Sequence, residues 1–454
     1  NMGLTLHDQG KMNEGLISFN KAISLNPNYA EAYCNMGLTL KSLGKLDDSI
    51  SAFNKSILIN PNNSEAYNNM AVVLKTQGNI DEAIKAFEKA ILLNPNYVEA
   101  YRNLGVAYND IGMLEKAIKV FNKAITLKPD NAENHMNLSF TLLCNGRLEE
   151  GLDEYEWRWK TKKFLPEQRN FNQPMWDGKK IIKNKRLLIW SEQGIGDIIN
   201  WSYYLPFISL KTNYCILECN KKLVPLLQRS FPNIEVKIEN RNFDNSRTDF
   251  DFHLPMGSLN KFFFHELLKN KIKPFLSPDP KRVKFWRKRL KSIGKRPYVG
   301  ISWKSSNITA ERQHNYAPIS DWTPLLKLHN VTFVNLQYTD FEYDLNKIRN
   351  DIGANIHNFD DLDHFNNILD VASLCAALDF VVSIQSSVPL ISAGVGTSTK
   401  LASWQHSSWN NILHNPIGPK IKKFEKKIME PWSKVFHLIA EDILKNKEIG
   451  IIYE

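Results

Sequence analysis

No apolar run in the 454-residue sequence approaches 18 residues, so a membrane-spanning helix is not expected, and no signal peptide is visible. Cysteine is sparse. Cys34, Cys144, Cys215, Cys219 and Cys375 are odd in number and lack the paired spacing of a metal knuckle, so they read as reduced structural thiols. These absences together make a cytoplasmic location the expectation. There is no Gly-x-Ser-x-Gly elbow, no Walker loop and no dinucleotide G-x-G-x-x-G, which removes support from hydrolase, ATPase and dehydrogenase readings. No low-complexity tract stands out. What is present is ordinary for a folded chain: 43% hydrophobic and 23% charged residues, with length for two or three domains at about 150 residues each. The net charge of +10 favours anionic partners such as nucleotides, although lysine-rich wet faces produce the same total.

The first third repeats. Asn1, Asn35, Asn69, Asn103 and Asn137 recur every 34 residues, and so do Pro27, Pro61, Pro95 and Pro129, and Gly10, Gly44, Gly78, Gly112 and Gly146. Phe19, Phe53, Phe87 and Phe121 keep the same period, with tyrosine at 33, 67 and 101. Each unit reads as two amphipathic helices, with a glycine at the turn between them and a proline after the second. This pattern resembles the tetratricopeptide repeat. A superhelix over residues 1–162 is expected, since neither helix of a pair can bury its apolar face alone. The resemblance places Asn35, Asn69, Asn103 and Asn137 on the concave face. An amide donates and accepts together, so such a ladder can hold an extended polypeptide backbone, as it does in protein O-GlcNAc transferases. The alternative is a surface asparagine kept by duplication. After residue 150, EYEWRWKTKK is expected to replace the second helix, with Trp157 and Trp159 capping the last apolar face.

An extended junction over 163–185 follows, where Pro174 and Gly178 oppose helix. From residue 186 short apolar runs alternate with helical stretches: RLLIW, YCILECN, EVKI and FDFHLP, then YVGISW, TFVNLQY, FVVSIQ and TKLASW. Alternation of this kind argues for parallel sheets in an α/β region. The series splits near KPFLSPDPKRVKFWRKRLKSIGKRP, giving expected domains at 186–280 and 281–454. Within that linker Val283, Trp286, Leu290 and Ile293 recur at helical spacing, so its basic residues are read as a wet helix face. No recognised nucleic-acid module surrounds them, and no nucleic-acid partner is expected.

The combination EYEWRW, PMWDG, WSEQGIGD, GISWKSSN, FVNLQ, LCAALDFVVSIQSSV and ISAGVG resembles the repeat-bearing bacterial glycosyltransferases of heptosyltransferase-like, two-Rossmann (GT-B) type. The resemblance implies a nucleotide-sugar donor on the second Rossmann-like domain, a hydroxyl acceptor facing the first, and no bound metal or other cofactor. It carries the catalytic base to Asp197, with Glu192 as second choice and Gln193, Gly194 and Gly196 forming the acceptor-side turn. A capping role for Asp197 at a helix start stays open. Donor contacts are implied for Trp303, Lys304, Ser305, Ser306, Gln337, Gln385, Ser386 and Ser387, with Asn307 and Arg312 as further helpers. Lys304 could neutralise the diphosphate, or lie in a solvated polar loop. Ser386 and Ser387 would begin a helix whose dipole favours phosphate, with Pro389 in its first turn. Gln385, Pro389 and Leu390 depart from the family pattern, which has an acidic residue and then an Ala-His pair there.

Three further features have two readings each. The carboxylates of FDDLD, 359–363, suit a divalent ion less well than a helix cap at Asp360 or Asp361. His253 and His406 either line the cleft or are structural. The overall expectation is transfer to a protein acceptor, flagellin-like in related enzymes. Rival readings are a non-catalytic scaffold and a transferase with a saccharide acceptor. A homo-oligomer through the repeats is also open.

Overall fold

The structure is a computed structural model describing residues 2–240, 247–269, 273–305, 315–404, 420–427 and 430–449. Two compact units emerge, Asn1–Leu165 and Pro166–Glu454. The first is built from helix pairs: α1 (Met2–Asp8) with α2 (Met12–Leu25), α3 (Ala30–Ser42) with α4 (Leu46–Ile59), α5 (Ser64–Thr76) with α6 (Ile80–Leu93), α7 (Val98–Asp110) with α8 (Leu114–Leu127), and α9 (Ala132–Cys144) with α10 (Leu148–Tyr155). Phe53, Phe87 and Phe121 are fully buried. Gly105 makes room for such a ring, since a Cβ there would lie 2.5 Å from Phe121. The turn glycines Gly10, Gly44, Gly78, Gly112 and Gly146 all adopt left-handed backbone, φ between 75° and 88°. The first helices touch one another in series, α3 to α5 to α7 to α9, and so share one continuous face.

The last repeat departs from expectation. Its second helix does form, as the short α10, and then tightens into a 3-10 turn over Glu156–Lys160. Trp157 stacks on His135 at 3.6 Å, and the guanidinium of fully buried Arg158 lies 4.6 Å from the rings of Tyr155 and Trp159. The turn packs against α9 and α10 of the last repeat.

The second unit holds two parallel sheets. Its order is β1 (Arg186–Trp190), α11 (Ile195–Ser202), α12 (Leu205–Ile208), β2 (Tyr214–Cys219), α13 (Val224–Ser230), β3 (Glu235–Ile238), β4 (Phe252–Pro255) and α14 (Leu259–Lys269). There follow α15 (Pro280–Ile293), β5 (Tyr298–Ser302), α16 (Thr323–Leu326), β6 (Thr332–Asn335), α17 (Glu342–Lys347), β7 (Ile356–His357), α18 (Ile368–Cys375), β8 (Phe380–Ser383), α19 (Ser387–Gly394), β9 (Ser398–Trp404), β10 (Ile421–Lys426) and α20 (Trp432–Ile449). Strand order is β3-β2-β1-β4 in one sheet and β10-β9-β8-β5-β6-β7 in the other. Every expected strand forms. The two edge strands β7 and β10 were not legible, one being only two residues long and the other, IKKFEK, half lysine. Charge covers an exposed edge but hides the strand period.

Helix α15 buries Val283, Trp286 and Leu290 and exposes Lys281, Lys284, Arg287 and Lys288, as its spacing predicts. Arg282 grips Asp370 through two bonds of 2.8 and 2.6 Å, and Trp286 donates to the same carboxylate at 2.7 Å, fixing α15 to α18. Asp442 of α20 lies 2.5 Å from Lys400 Nζ and also pairs with Lys422, tying α20 to β9 and β10. The two sheets meet where α11 packs on α19.

His253 is structural. Its Nδ1 accepts from Trp190 Nε1 at 3.2 Å, its ring is T-shaped against Phe171, and Trp176 N donates to its carbonyl at 2.9 Å. Burial pushes its imidazole down to about 4 from an ordinary value of 6.5. The unfolded chain therefore takes up a proton between those values that the folded chain refuses. Stability present above about pH 6.5 should fall by about 3 kcal/mol as pH drops towards 4. His357 and His364, also held low by burial, add with the same sign. Denaturant midpoints between pH 7 and 4.5 should show the loss, and His253→Gln should flatten its share of the slope; an unchanged slope would contradict this account. In the repeats, Gly78 has φ of 88° and nothing within 4 Å of the place a Cβ would take, so only backbone conformation opposes a side chain. Gly78→Ala should cost about 1 kcal/mol, and Gly78→Asn less, read by thermal unfolding.

Candidate functional site

The site grows from the carboxyl end of β1, where Ser191–Gly194 lead into α11. Gly194 caps the helix with φ −70° and ψ 169°, and Gly196 is its second residue. Neither has positive φ, so the turn does not use the left-handed backbone open to glycine. Gly196 serves instead as a place of close approach. A Cβ there would stand 3.5 Å from Leu390 Cδ1 and 3.8 Å from Ser387 Cα, so the start of α11 lies against the start of α19.

Asp197, the third residue of α11, is half-buried, and its Oδ2 lies 3.6 Å from the place a Gly194 Cβ would take. The carboxylate thus folds back towards its own helix start. Glu192 is 2% exposed and accepts from Gly257 N at 3.0 Å. A side chain at Gly257 would collide with that carboxylate and approach Trp201 to 3.1 Å. Glu192 is thereby a brace beneath the segment after β4, and solvent access of the kind a base needs belongs to Asp197. Gln193 is half-buried beside it. Next to this turn Glu218 is held between Arg169 and Arg247, each at 2.6 Å, while Ser191 Oγ donates to Glu239 at 3.2 Å. Sequence reasoning missed this cluster, whose members lie dozens of residues apart.

The second wall comes from the carboxyl end of β8, where ligands gather in open α/β sheets. Ser386 is the N-cap of α19 and accepts from Val388 N at 3.3 Å; Ser383 Oγ lies 3.4 Å from Ser386 Oγ. Ser387 opens the helix, Pro389 falls in its first turn, and Gln385 is half-buried just before the cap. With Val388 taken by the cap and no N–H on Pro389, the Ser386 and Ser387 N–H groups are the donors this helix start directs outward.

The expected donor contacts after β5 turn out differently. Lys304 Nζ pairs with Asp344 at 2.6 Å, and Trp303 Nε1 donates to the same oxygen at 2.9 Å. The ammonium charge is therefore already answered from α17. Gln337 is fully buried: its Oε1 accepts from Ser302 Oγ, Trp303 N and Lys304 N at 3.1, 2.9 and 3.0 Å, and its Nε2 donates to Lys304 O and Thr339 Oγ1 at 2.8 and 2.7 Å. It clips β5 to β6 and has no group left for a ligand. Trp303 is buried too, and Ser305 accepts from Tyr338 OH at 3.4 Å. Asp344 carries no sequence signal, because only the fold brings it to Lys304. Ser306, Asn307, Arg312 and His406 lie outside the described residues.

Neither Asp360 nor Asp361 caps a helix. Asp361 pairs with Arg289, Asp360 accepts from Asn358, and Asp363 holds the turn through Phe365 N and Asn366 N. Helix α18 is capped by Asn367. Among the described residues no group of three or more His, Cys, Asp or Glu stands in metal-binding proximity.

In the repeats, Asn35, Asn69, Asn103 and Asn137 are all half-buried, one on each of α3, α5, α7 and α9. Asn103 donates to Asn68 Oδ1 at 3.0 Å, and Asn68 reaches Asn69 Oδ1 at 3.4 Å, so part of the ladder is laterally braced. Leu38, Val72, Val106 and Phe140, three residues further on, are likewise half-buried and share its face. Charge divides unevenly between the units. Residues 1–165 carry 18 Lys+Arg against 19 Asp+Glu, and residues 166–454 carry 40 against 29, so the cationic surplus belongs to the α/β unit.

Family models for the tetratricopeptide repeat match residues 3–44, 30–63 and 68–132. Protein FlbA of Caulobacter vibrioides is 31% identical over 322 residues, covering 66% of this chain and 53% of the relative. The chain thus spans about half the length of that curated relative. Among solved structures, MamA is 24% identical with a TM-score of 0.33, covering 35% of this chain and 94% of its own. MamA 41-end from Desulfovibrio magneticus RS-1 is 25% identical with a TM-score of 0.32, covering 37% and 94%. No helix among the described residues is long and apolar enough to cross a membrane. The chain carries tetratricopeptide repeats, which suggest a protein-binding role, ahead of a parallel α/β region, and is homologous to Protein FlbA.

Proposed function

We propose that this protein is a nucleotide-sugar-dependent glycosyltransferase of GT-B type whose repeats hold a protein acceptor. The observation that supports the reading is the packing of α11, whose first turn holds Asp197, on α19, whose start holds Ser386 and Ser387. In the proposed reaction Asp197 takes the proton of an acceptor hydroxyl as its oxygen bonds to the anomeric carbon. The bond from that carbon to the diphosphate breaks, and the departing charge is met by the Ser386 and Ser387 N–H groups and the dipole of α19. The cationic surplus of the α/β unit suits the anionic donor. Flagellin-like proteins are the acceptor class proposed, in cytoplasm. The Asn ladder would grip their backbone.

A non-catalytic scaffold is the second reading, favoured by one observation: Lys304, the cation expected to face the diphosphate, is engaged by Asp344. Calorimetric titration with uridine, guanosine and thymidine diphosphates separates the two, because an inert scaffold need bind none of them. For the transferase reading, Asp197→Ala should lower turnover by about 10²–10⁴-fold while nucleotide affinity stays unchanged. Full turnover in that variant would remove the base role and leave the cap. Asn69→Ala with Asn103→Ala should weaken binding of an unfolded acceptor polypeptide and leave nucleotide affinity unaltered; equal polypeptide binding would remove the ladder's role.

A further inference from the structure

Two adjacent residues of α11 carry polar atoms that the fold buries without satisfying. Asn200 is 2% exposed and its Oδ1 has no hydrogen-bond partner among the described residues; Trp201, also 2% exposed, has none for Nε1. A buried acceptor or donor left bare is costly, and native structures keep few of them. The two do not share a face: the Trp201 ring lies against Gly257, 3.1 Å from where its Cβ would stand, so Asn200 is the one that concerns the α19 side.

Helical geometry says where Asn200 points. It follows Gly196 by four residues and Asp197 by three, so it shares their face, and side chains on a helix lean towards its amino end. The Gly196 face is the one lying against Ser387 and Leu390 of α19. The Asn200 side chain is therefore on the α11 face that meets α19, and it leans towards the start of α11. An amide oxygen accepts and cannot donate. Its complement is a hydroxyl or N–H on a ligand whose anionic part occupies the start of α19.

We infer that Asn200 reads the sugar of the donor, its Oδ1 accepting a hydrogen bond from a sugar hydroxyl or amide while the diphosphate lies at Ser386 and Ser387. The inference rests on the transferase reading and adds a specificity-determining residue to it. It also explains why a position as buried as this, on two helices whose Ile198, Ile199, Val388 and Leu390 are buried too, holds an asparagine. Leucine would pack there without a bare acceptor.

The test compares each nucleoside diphosphate with its hexose conjugate, for uridine, guanosine and thymidine, by calorimetry on the full chain. In the wild type the conjugate should bind more tightly than the diphosphate for at least one base. In Asn200→Leu and Asn200→Ala the diphosphate affinity should hold, while the conjugate weakens by about tenfold, erasing the sugar's share. Without ligand, Asn200→Leu should melt no lower than the wild type, since it removes a bare buried acceptor. Equal loss for diphosphate and conjugate, or no loss for either, overturns the role of Asn200 and leaves the transferase reading standing. A lower melting point of unliganded Asn200→Leu with an unchanged sugar share also overturns it, showing an internally satisfied amide. Failure of every nucleotide to bind the wild type removes the transferase reading itself, and the inference with it.

Discussion

The contact of α11 with α19 is the constraint on which the site depends. Each helix follows a strand of a different sheet, and each begins at the carboxyl end where backbone N–H groups point outward. At Gly196 the two starts come within packing distance, with Leu390 and Ser387 3.5 to 3.9 Å from where a methyl would go. Separate the helices and the carboxylate of Asp197 and the donors of Ser386 and Ser387 belong to two unrelated turns. Together they make one polar seam inside an apolar joint.

After β5 and after β4 the fold uses polar side chains to hold its own loops. Gln337 gathers the exit of β5 with both ends of its amide, Asp344 takes Trp303 and Lys304, and Glu192 accepts from Gly257. Of these groups, the family resemblance implies donor contacts for Trp303, Lys304 and Gln337 and a second-choice base at Glu192. Burial decides otherwise, since a fully enclosed amide with every atom engaged has nothing left to offer a ligand. Asp197, Gln385, Ser386 and Ser387 stay partly open, and in the proposed reaction recognition falls on them and on the amide oxygen of Asn200.

The repeats solve a different problem by repetition. Four helix pairs bury a phenylalanine and the fifth buries Tyr155 at the same register, and left-handed glycines turn the chain five times. Because the first helices stack directly, whatever stands at one register forms a row. The amides at 35, 69, 103 and 137 and the apolar residues three places later are such rows, and their partial burial leaves one side of each accessible.

The sequence by itself determined the repeat array, the expected strands and the helix of the linker, because period, glycine and proline act within a few residues and need no distant partner. It also placed Ser386 at a helix start and Asp197 in the first turn of another. Edge strands β7 and β10 escaped it, one too short and one too charged to show a period. Tertiary structure alone decided what each polar group is for. Whether Lys304 meets a phosphate or Asp344, whether Gln337 faces a ligand or clips two strands, and whether Asn200 is satisfied all depend on residues tens of positions away. Hydrogen bonds and ion pairs of that kind are made by proximity in space, which no local pattern encodes.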